Sequence, residues 1–402
     1  MLFNNITFEI VHAWEQRKLG EVAEFSKGSG YSKSDLRDIG NPIILYGRLY
    51  TKYETIIEEV DTFAEMKDNP VLSCGGEVIV PSSGETAEDI SRASVVVESG
   101  VILGGDLNIV KPYSIINSVF LAITISNGNQ QKELSRRAQG KSVVHLSNSD
   151  LQDVILQVPT LPEQTAIGNF FRTLDNIITL HQRKLDGLKE LKRGYLQLMF
   201  PQAGERVPRV RFAGFTGDWD ERPLKDLITP VVREVPKPNE PYARLSVRSH
   251  AKGVFHQKVD DPSSVAMDKL YVVKANDLIV NITFAWEHAI AVTNIEDDGL
   301  LVSHRFPTFL IDKSDINFIK FSVSFESFRY KLDLISPGGA GRNRVLNKSD
   351  FLNLELIVPK TVSEQTAIGN FLRCLEEQIT ELQTKLDKLK KFKVAYLYKM
   401  FI

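Results

Sequence analysis

The stretch EQTAIGNF occupies residues 163–170 and occurs again, unchanged, at residues 364–371. An identity of this length within one chain indicates an internal repeat. The likeness extends upstream, where SNSDLQDVILQVP at 147–159 aligns with NKSDFLNLELIVP at 347–359. The chain therefore consists of two tandem copies of one unit.

The start of each copy is marked by a similar stretch, WEQRKLGEV at 14–22 and WDERPLKDL at 219–227. Between this start and the shared eight residues the two copies differ, and a segment rich in Pro and Gly joins them. The repeat predicts a first variable domain, a first helical spacer, a linker, a second variable domain and a second helical spacer, with the bounds 1–159, 160–200, 201–218, 219–360 and 361–402.

Apolar residues recur in both helical segments in alternating steps of four and three. This 3.5-residue period is typical of a coiled-coil seam and predicts a helix about 55 Å long in each copy. Lys192 and Lys393 fall at equivalent seam positions, where a polar residue fixes the register of a coil. The predicted seam positions are Ile167, Phe171, Leu174, Ile178, Leu185, Leu188, Ile368, Leu372, Leu375, Ile379, Leu382, Leu386 and Leu389.

A helix with such an apolar stripe needs a partner, and the obvious partner is its own duplicate. We therefore predict that the two helices pair as an antiparallel coiled coil, with the variable domains at opposite ends and related by a pseudo-twofold axis. Core helices of an ordinary bundle are the alternative interpretation.

The variable domains alternate short apolar runs with Gly, Asn and Ser breaks, which predicts strands with some helix. The runs are PIILY (42–46), GEVIVP (76–81), SVVVES (94–99) and NSVFLAITI (117–125) in the first copy, and DLIVNITF (277–284), HAIAVTN (288–294) and LLVSHRFPTFLI (300–311) in the second. The predicted fold class is α+β, with two tandem mixed α/β domains that are each followed by a long helix.

The composition, with 43% hydrophobic and 25% charged residues, is that of a globular protein. Cys74 and Cys374 are too few for a disulfide framework or a cysteine-based zinc site, and they fit a reducing cytoplasm. No apolar run reaches the roughly 18 residues needed to span a bilayer, and the first residues lack the features of a signal peptide. We therefore predict a cytoplasmic protein without a membrane segment. The net charge of −2 taken alone argues against nucleic acid, whose binders usually carry a basic excess.

Sequence signatures of catalysis are missing. Ser135–Ser142 ends in the Gly-Lys-Ser of a phosphate-binding loop but lacks its leading Gly and its preceding strand. The Asn-Pro pairs at 41–42 and 69–70 lack the aromatic residue with which a base methyltransferase stacks a flipped base. No serine elbow, metalloprotease motif, paired-cysteine motif or metal-ligand spacing of histidines occurs. We therefore predict a protein that is not an enzyme and holds no metal.

Basic, polar and aromatic side chains follow several predicted strands, and such residues read base edges and bind phosphates. Arg136, Arg137 and Lys141 in the first copy match Arg342, Arg344 and Lys348 in the second, just before the aligned Ser-Asp stretches. Core packing of Trp286 and a surface ion pair of Arg48 remain alternatives. The candidate DNA-binding residues are Arg48, Lys52, Ser82, Ser83, Thr86, Arg92, Arg136, Arg137, Lys141, Arg248, His250, Lys252, Trp286, His304, Arg305, Arg342, Asn343 and Arg344.

The repeated order of elements resembles the specificity subunit of type I restriction-modification enzymes. That order is a Trp-Glu-x-Arg-x-Leu start, a variable domain, a Ser-Asp-Leu strand, Pro, Glu-Gln-x-x-Ile and a long helix. The stretch FAGFTGDW at 212–219 also resembles a domain start of this family, whereas the first copy lacks it at 8–14. The resemblance covers essentially the whole chain.

The resemblance implies two target-recognition domains that each read one half of a bipartite asymmetric site in double-stranded DNA. It implies helices that separate the half-sites and dock two modification (methyltransferase) subunits. S-adenosylmethionine would then bind to those partners, and ATP and Mg would serve the restriction (translocase and nuclease) subunits, so this chain would bind no cofactor itself.

A rival interpretation is a coiled-coil scaffold that joins two protein-binding domains.

The charges are distributed unevenly along the chain. Residues 14–158 carry 14 basic and 20 acidic groups, and residues 219–358 carry 18 basic and 19 acidic groups. Counterion release scales with the number of phosphates neutralised. We therefore expect the isolated chain to bind DNA weakly, and partner subunits to complete a basic channel.

Overall fold

The computed structural model describes residues 14–140, 143–336, 338 and 344–401. The chain divides into two units, of which the first combines residues 1–183 with 384–402 and the second comprises 184–383. No helix in the described part of the chain is long and apolar enough to cross a membrane.

The first unit contains a mixed α/β domain. Its strands are β1 (Glu15–Lys18), β2 (Ala23–Lys27), β3 (Leu36–Arg37), β4 (Asn41–Ile44), β5 (Ile56–Ile57), β6 (Phe63–Ala64), β7 (Glu77–Pro81), β8 (Ser83–Gly84), β9 (Ser94–Val96), β10 (Ile102–Leu103), β11 (Leu107–Pro112), β12 (Val144–His145) and β13 (Ile155–Val158). They form a five-stranded sheet in the order β2-β11-β7-β9-β5 and a four-stranded sheet in the order β10-β4-β6-β3, together with the two-stranded pairs β1-β13 and β12-β8.

The helices of the first copy are α1 (Arg48–Thr51), α2 (Ala87–Ile90), α3 (Ser118–Ile125), α4 (Gly128–Arg137), α5 (Asn148–Gln152) and α6 (Leu161–Leu198). The run NSVFLAITI belongs to the apolar runs that were predicted as strands with some helix, and in the structure it forms the helix α3. Asn117 caps it, because its side-chain oxygen accepts the Phe120 N–H at 3.0 Å. The sheet of β7 and β9 covers this helix, and burial on most of its surface removes the periodicity that would have distinguished it from a strand.

The second unit contains the second mixed α/β domain. Its strands are β14 (Asp220–Pro223), β15 (Thr229–Val231), β16 (Glu234–Pro236), β17 (Tyr242–Val247), β18 (Val254–Val259), β19 (Lys269–Val272), β20 (Asp277–Val280), β21 (Ile290–Val292), β22 (Leu301–Val302), β23 (Thr308–Leu310) and β24 (Glu355–Val358). They form a sheet in the order β15-β23-β20-β21, a sheet in the order β16-β19-β22-β17-β18 and the pair β14-β24. The helices of the second copy are α7 (Ile316–Ser322), α8 (Glu326–Leu334), α9 (Lys348–Leu352) and α10 (Val362–Met400).

The shared EQTAIGNF stretch lies in the first turns of α6 and α10, where its Glu-Gln pair fixes the helix to the domain before it. In the first unit Trp14 Nε1 donates to Glu163 Oε1 at 3.2 Å. Gln164 donates through Nε2 to Pro159 O at 2.9 Å and accepts the Asn117 N–H at Oε1, also at 2.9 Å. We call this Glu-Gln pair the helix anchor.

The second unit repeats the anchor with equivalent residues. Trp219 Nε1 donates to Glu364 Oε1 at 3.2 Å, and the Asp315 N–H donates to Gln365 Oε1 at 3.0 Å. Glu364 is 2% exposed and additionally accepts two hydrogen bonds from Arg211, at 2.7 and 2.8 Å. Arg211 belongs to the segment 201–218, which has no regular helix or strand, so this segment is held against the second domain.

The glycine of the repeated stretch allows the anchor helix to approach the neighbouring helix. A Cβ on Gly369 would lie 2.3 Å from Asp315 Oδ1 and 2.9 Å from Phe318 N. A Cβ on Gly168 would lie 3.2 Å from Asn117 Oδ1. The identity between the two copies is thus explained by contacts that each copy makes within its own unit.

The helices α6 and α10 run antiparallel in both units. In the first unit the Phe170 and Tyr396 rings lie 5.5 Å apart, and Lys393 Nζ lies 2.5 Å from Asp175 Oδ1. Residue numbers therefore rise along α6 while they fall along α10, as the repeat predicted.

The second unit shows the equivalent pairing, with Lys192 Nζ 2.6 Å from Glu376 Oε1 and the Tyr195 and Phe371 rings 4.8 Å apart. Each of the two predicted lysines therefore forms an ion pair with an acidic residue of the other helix. The two acidic residues, Asp175 and Glu376, occupy equivalent positions in the repeat. Among the predicted seam positions, Ile167, Phe171, Leu174, Leu185, Ile368, Leu372, Leu375 and Leu386 are buried, and Ile178, Leu188, Ile379, Leu382 and Leu389 are half-buried.

Each domain packs against the end of the helix from the other copy. In the first unit Phe401, beyond the end of α10, lies 6.0 Å from Phe120 and 6.3 Å from Trp14 between ring centroids. In the second unit Phe200, beyond the end of α6, stacks on Phe318 at 5.4 Å. Burial of these rings joins the start of one copy to the end of the other in each unit.

Candidate nucleic-acid interface

The hairpin between β17 and β18 carries three of the predicted residues, Arg248, His250 and Lys252, all of them exposed. His250 and Ala251 have φ angles of 61° and 51°, a left-handed conformation that side chains rarely adopt. Their N–H groups donate to Glu287 O and to the carbonyl of residue 288, both at 2.8 Å. The hairpin tip is therefore held against the turn that follows β20, and the conformation of His250 is fixed by that contact.

Trp286 lies in this same turn, and it is half-buried. The Arg344 guanidinium lies 5.1 Å from the ring centroid, and Arg344 Nε and Nη2 donate to Ser336 O at 3.0 Å and to Asp333 O at 3.1 Å. Arg344 also forms an ion pair with the Asp333 carboxylate. Trp286 thus makes a cation–π contact with Arg344 inside the domain, and its role in DNA binding stays a prediction.

The segment after β20 also meets the two remaining predicted stretches. The Ile282 N–H donates to Arg305 O at 3.0 Å, and Ile282 O accepts the Leu346 N–H at 2.9 Å. His304 and Arg305 are exposed, as is Phe284 with 42% of its surface accessible. The second domain therefore brings together four stretches that lie apart in sequence, at 248–252, 282–288, 304–305 and 344–346. The exposed side chains among them are Arg248, His250, Lys252, Phe284, His304 and Arg305.

In the first domain Arg48 is buried, at 8% exposure. Its guanidinium donates to Asp61 Oδ1 at 2.5 Å, Glu54 Oε2 at 2.8 Å and Glu59 O at 2.8 Å. Lys52 Nζ lies 2.8 Å from Asp61 Oδ2, and this hydrogen bond, with Arg48 acting in the same direction, lowers the pKa of Asp61 to about 2. Arg48 is buried and its two terminal nitrogens donate inside the domain, so the structure does not present its side chain at the surface.

The loop after β7 holds the predicted serines and Thr86. Ser82 is buried, and its carbonyl accepts the Leu146 N–H at 3.1 Å, which is the counterpart of the contact between residues 282 and 346. Ser83 is half-buried, with Oγ 3.2 Å from His145 Nδ1. Thr86 is exposed and caps α2, because Oγ1 accepts the Asp89 N–H at 3.0 Å.

Three further candidates of the first domain are Arg92, just after α2, and Arg136 and Arg137, at the end of α4. Arg92 pairs with Asp89 at 2.7 Å, and its guanidinium lies 5.7 Å from the Tyr53 ring centroid. Arg137 is engaged by Glu133 at 2.7 Å, whereas Arg136 is exposed. The first domain thus presents a less basic set of exposed candidates than the second.

The phosphate-loop resemblance has no structural support. Residues 135–137 form the end of α4, so the Gly-Lys-Ser sequence follows a helix, whereas a phosphate loop precedes one. Within the described residues no group of three or more His, Cys, Asp or Glu side chains could hold a metal ion.

A family model for the type I restriction modification DNA specificity domain matches residues 12–190 and again residues 217–391. The chain belongs to this family. Specificity subunits of type I restriction-modification systems are non-catalytic and supply DNA specificity to the complex, so the absence of catalytic motifs is explained. The curated relative described as the type I restriction enzyme MjaX specificity subunit of Methanocaldococcus jannaschii is 20% identical, over 96% of this chain and 92% of its own.

A solved specificity subunit shares the fold. The crystal structure of the type I restriction-modification S subunit from M. genitalium covers 99% of this chain and 98% of its own, with a TM-score of 0.60 and 12% identity. The HsdS subunit from Thermoanaerobacter tengcongensis covers both chains completely, with a TM-score of 0.45 and 13% identity.

Two residues of this specificity subunit were missed as candidates although the structure exposes them beside the predicted ones. Phe284 directly follows the apolar run of β20, and a large apolar residue at such a strand end was the available signal. His145 lies opposite Ser83 only because β12 pairs with β8, a contact that no local pattern indicates. Three predicted residues, Lys141, Arg342 and Asn343, lie outside the described residues.

Proposed function

We propose that each domain of this specificity subunit reads one half of a bipartite asymmetric DNA site. The observation that carries the proposal is a backbone hydrogen bond that occurs at equivalent positions of the two domains. The Leu146 N–H donates to Ser82 O in the first domain, and the Leu346 N–H donates to Ile282 O in the second, so the loops that begin at residues 82 and 282 correspond to each other. The side chains on these loops differ, with Ser83 and Thr86 in the first domain and Thr283 and Trp286 in the second. Equivalent scaffolds with different surface chemistry favour two different half-sites.

The two long helices set the distance between the half-sites in this proposal. A helix of 38 residues, the length of α6, is about 57 Å long, which corresponds to at most about 17 base pairs of spacer. The anchor contacts support a fixed orientation of each helix on its domain, and the lysine ion pairs support a fixed register.

The proposed division of labour assigns methyl transfer to two modification subunits that dock on the helices. The cofactors S-adenosylmethionine, ATP and Mg belong to these partners and to the restriction subunits. The family assignment favours this function over a scaffold, and purification of the tagged chain from its host separates the two, since a scaffold would be recovered without a methyltransferase.

An exchange of one domain tests the reading of half-sites. Residues 219–358 are replaced by the corresponding residues of a relative, and the methylated sites are mapped across the genome. We expect one half-site to change while the other half-site and the spacer stay the same. The matched control replaces residues 14–158 and should change the opposite half-site. A change of both half-sites in either chimera would refute modular reading.

A change of helix length tests the spacer. Seven residues, about two turns, are inserted at equivalent positions of α6 and α10, which preserves the seam. We expect a longer spacer between unchanged half-sites. An unchanged spacer in an assembled, methylating complex would refute the role of the helices, and an insertion in one helix only serves as the control that breaks the register.

A further inference from the structure

The exposed face of the last part of α10 carries lysine side chains that take no part in the contacts described above. Residues 384–402 contain six lysines and one aspartate. Lys393 is used in the ion pair with Asp175. Lys388, Lys391 and Lys399 are exposed, and none of the three has an ion-pair partner among the described residues.

These lysines share one face of the helix. Lys388 and Lys391 are three residues apart, and Lys399 follows Lys388 by eleven residues, which is three helical turns. Tyr398, 68% exposed, lies between them on the same face. Leu386 is buried and Leu389 half-buried, so the lysine face points away from the seam. We call Lys388, Lys391, Tyr398 and Lys399 the lysine face.

The duplicate helix provides an internal comparison. At the positions equivalent to Lys388, Lys391 and Lys399, α6 has Gly187, Glu190 and Leu198, and Glu190 pairs with Arg193 of the same helix. A coiled coil needs solvated outer positions, and α6 meets that need with mixed charges. The unpaired lysines of α10 are therefore not required by the coil.

The charge of the first unit indicates what the lysine face contacts. The first domain, residues 14–158, has six more acidic than basic groups, although it belongs to a DNA specificity family. The end of α10 lies in the same unit and supplies five net positive charges. Lysine and tyrosine side chains are among those that bind DNA phosphates without reading sequence.

We propose that the lysine face binds the phosphate backbone of DNA outside the bases that the domains read. This inference rests on the proposed function for the presence of DNA, but it concerns a sequence-independent contact. Each phosphate neutralised contributes about 0.9 to the slope of log affinity against log salt concentration, so three lysines account for about 2.7.

The test uses the full chain assembled with its modification subunits and a labelled 50-base-pair duplex of arbitrary sequence. Binding is measured by fluorescence anisotropy between 50 and 200 mM KCl for the wild type and for the triple variant Lys388→Gln, Lys391→Gln and Lys399→Gln. We expect the slope of the variant to be shallower by about 2.7, so that the wild type loses about 40-fold more affinity over this range. The control removes three positive charges from α6 by Lys184→Gln, Lys189→Gln and Arg193→Gln and should retain the wild-type slope.

Equal slopes for the wild type and the triple variant would overturn the inference, as would an equal loss in the control. A triple variant that no longer assembles with the modification subunits in size-exclusion chromatography would also overturn it, because the lysine face would then bind an acidic protein surface. Methylation mapping of the variant should show unchanged half-sites, and an altered half-site would contradict a backbone contact. If mapping finds no bipartite site for the wild type, the proposed function fails, whereas a reduced slope still supports the phosphate contact.

Discussion

The two copies of the helix anchor place the same glutamate in different surroundings, which gives a prediction with an internal control. Glu364 is buried and accepts hydrogen bonds from Trp219 and, twice, from Arg211. Glu163 is exposed and accepts one hydrogen bond, from Trp14, at 3.2 Å. The substitutions Glu364→Ala and Glu163→Ala should therefore have very different effects on the stability of their units.

The expected loss of stability for Glu364→Ala follows from the Arg211 guanidinium, which would lose its carboxylate partner. Removing one partner of a buried ion pair costs about 3–5 kcal/mol. The Arg211 side chain is 14% exposed, and it keeps hydrogen bonds to Gly217 O and Thr216 O, so the lower end of that range applies. We therefore expect a loss of about 3 kcal/mol for Glu364→Ala. An exposed glutamate with a single hydrogen bond gives about 1 kcal/mol or less for Glu163→Ala.

The assay has to report on each unit separately, because one melting temperature is not well defined for a chain of two units. Hydrogen exchange read by mass spectrometry provides this, with peptides from β14 and β24 for the second unit and from β1 and β13 for the first. A difference of about 2 kcal/mol between the two variants corresponds to about 30-fold in exchange protection. Glu364→Gln keeps a hydrogen-bond acceptor without the charge and should fall between the wild type and Glu364→Ala.

Equal losses of protection in the two units would refute this reasoning. A loss of less than about 1 kcal/mol for Glu364→Ala would do the same, because it would mean that Arg211 finds water or another partner at no cost.

Further predictions concern the same contacts. Gly369→Ala should destabilise the second unit by about 1–3 kcal/mol, because the added methyl group would overlap the carboxylate that caps α7, whereas Gly168→Ala should be close to neutral in the first unit; urea unfolding followed by hydrogen exchange measures both. Phe401→Ala should reduce protection in the first domain, and Phe200→Ala in the second, by about 3–5 kcal/mol each; the opposite assignment would contradict the packing described. Burial raises the pKa of Glu376, but its two lysine partners outweigh this, so the pKa lies below its usual 4.5. The stabilisation from this ionised carboxylate is therefore present above pH 4.5 and lost as the pH falls through the lowered value; urea midpoints of the wild type and Glu376→Gln between pH 3 and pH 7 should converge at the acidic end. The isolated chain should bind duplex DNA poorly and with strong salt dependence in a mobility-shift assay, and binding should rise when modification subunits are added; tight specific binding by the chain alone at physiological salt would contradict the charge argument.

The repeat made the architecture predictable because it preserves contacts, and such contacts constrain sequence. Glu163 and Gln164 each meet a partner from a distant segment, so neither could vary freely, and their identity in the second copy identified where each helix begins. The antiparallel pairing was predicted from the duplication, since each apolar stripe needs a partner, and the structure adds that Lys192 and Lys393 each form an ion pair across the two helices. The apolar periodicity and the internal repeat together were therefore sufficient to predict the two long helices and their pairing.

The conformation of single apolar runs was less predictable. NSVFLAITI is rich in β-branched residues, which favour strands, yet it forms α3. Tertiary packing overrides that preference: Asn117 caps the helix, and Gln164, which lies outside the run, accepts the Asn117 N–H and so fixes the start of the helix. Local pattern cannot report a partner that lies 47 residues away.

The candidate interface was predictable only in part, because a basic residue in a polar loop has the same sequence signature whether it faces solvent or an internal carboxylate. Arg48, the first residue of the short helix α1, faces Asp61 and Glu54, whereas Arg305 is exposed in a loop. The Trp286 ring contacts Arg344, which lies 58 positions further along the chain. Which candidates are available to DNA therefore depends on pairings between distant segments.

The residues that the two copies share stabilise the fold, whereas the residues proposed to contact DNA differ between the copies. The residues that both copies share form the anchor, and they are buried or hydrogen-bonded within each unit, so a substitution there changes stability. The loops after β7 and β20 are attached to their domains by backbone hydrogen bonds, which do not depend on the side chains of the bonded residues. An exposed side chain without a hydrogen bond inside the domain, such as that of Phe284, can therefore change without loss of the scaffold, and under the proposed function such a change alters the half-site. This arrangement also makes a net charge of −2 compatible with DNA binding, because the number that matters is the charge presented at each contact and not the sum over the chain.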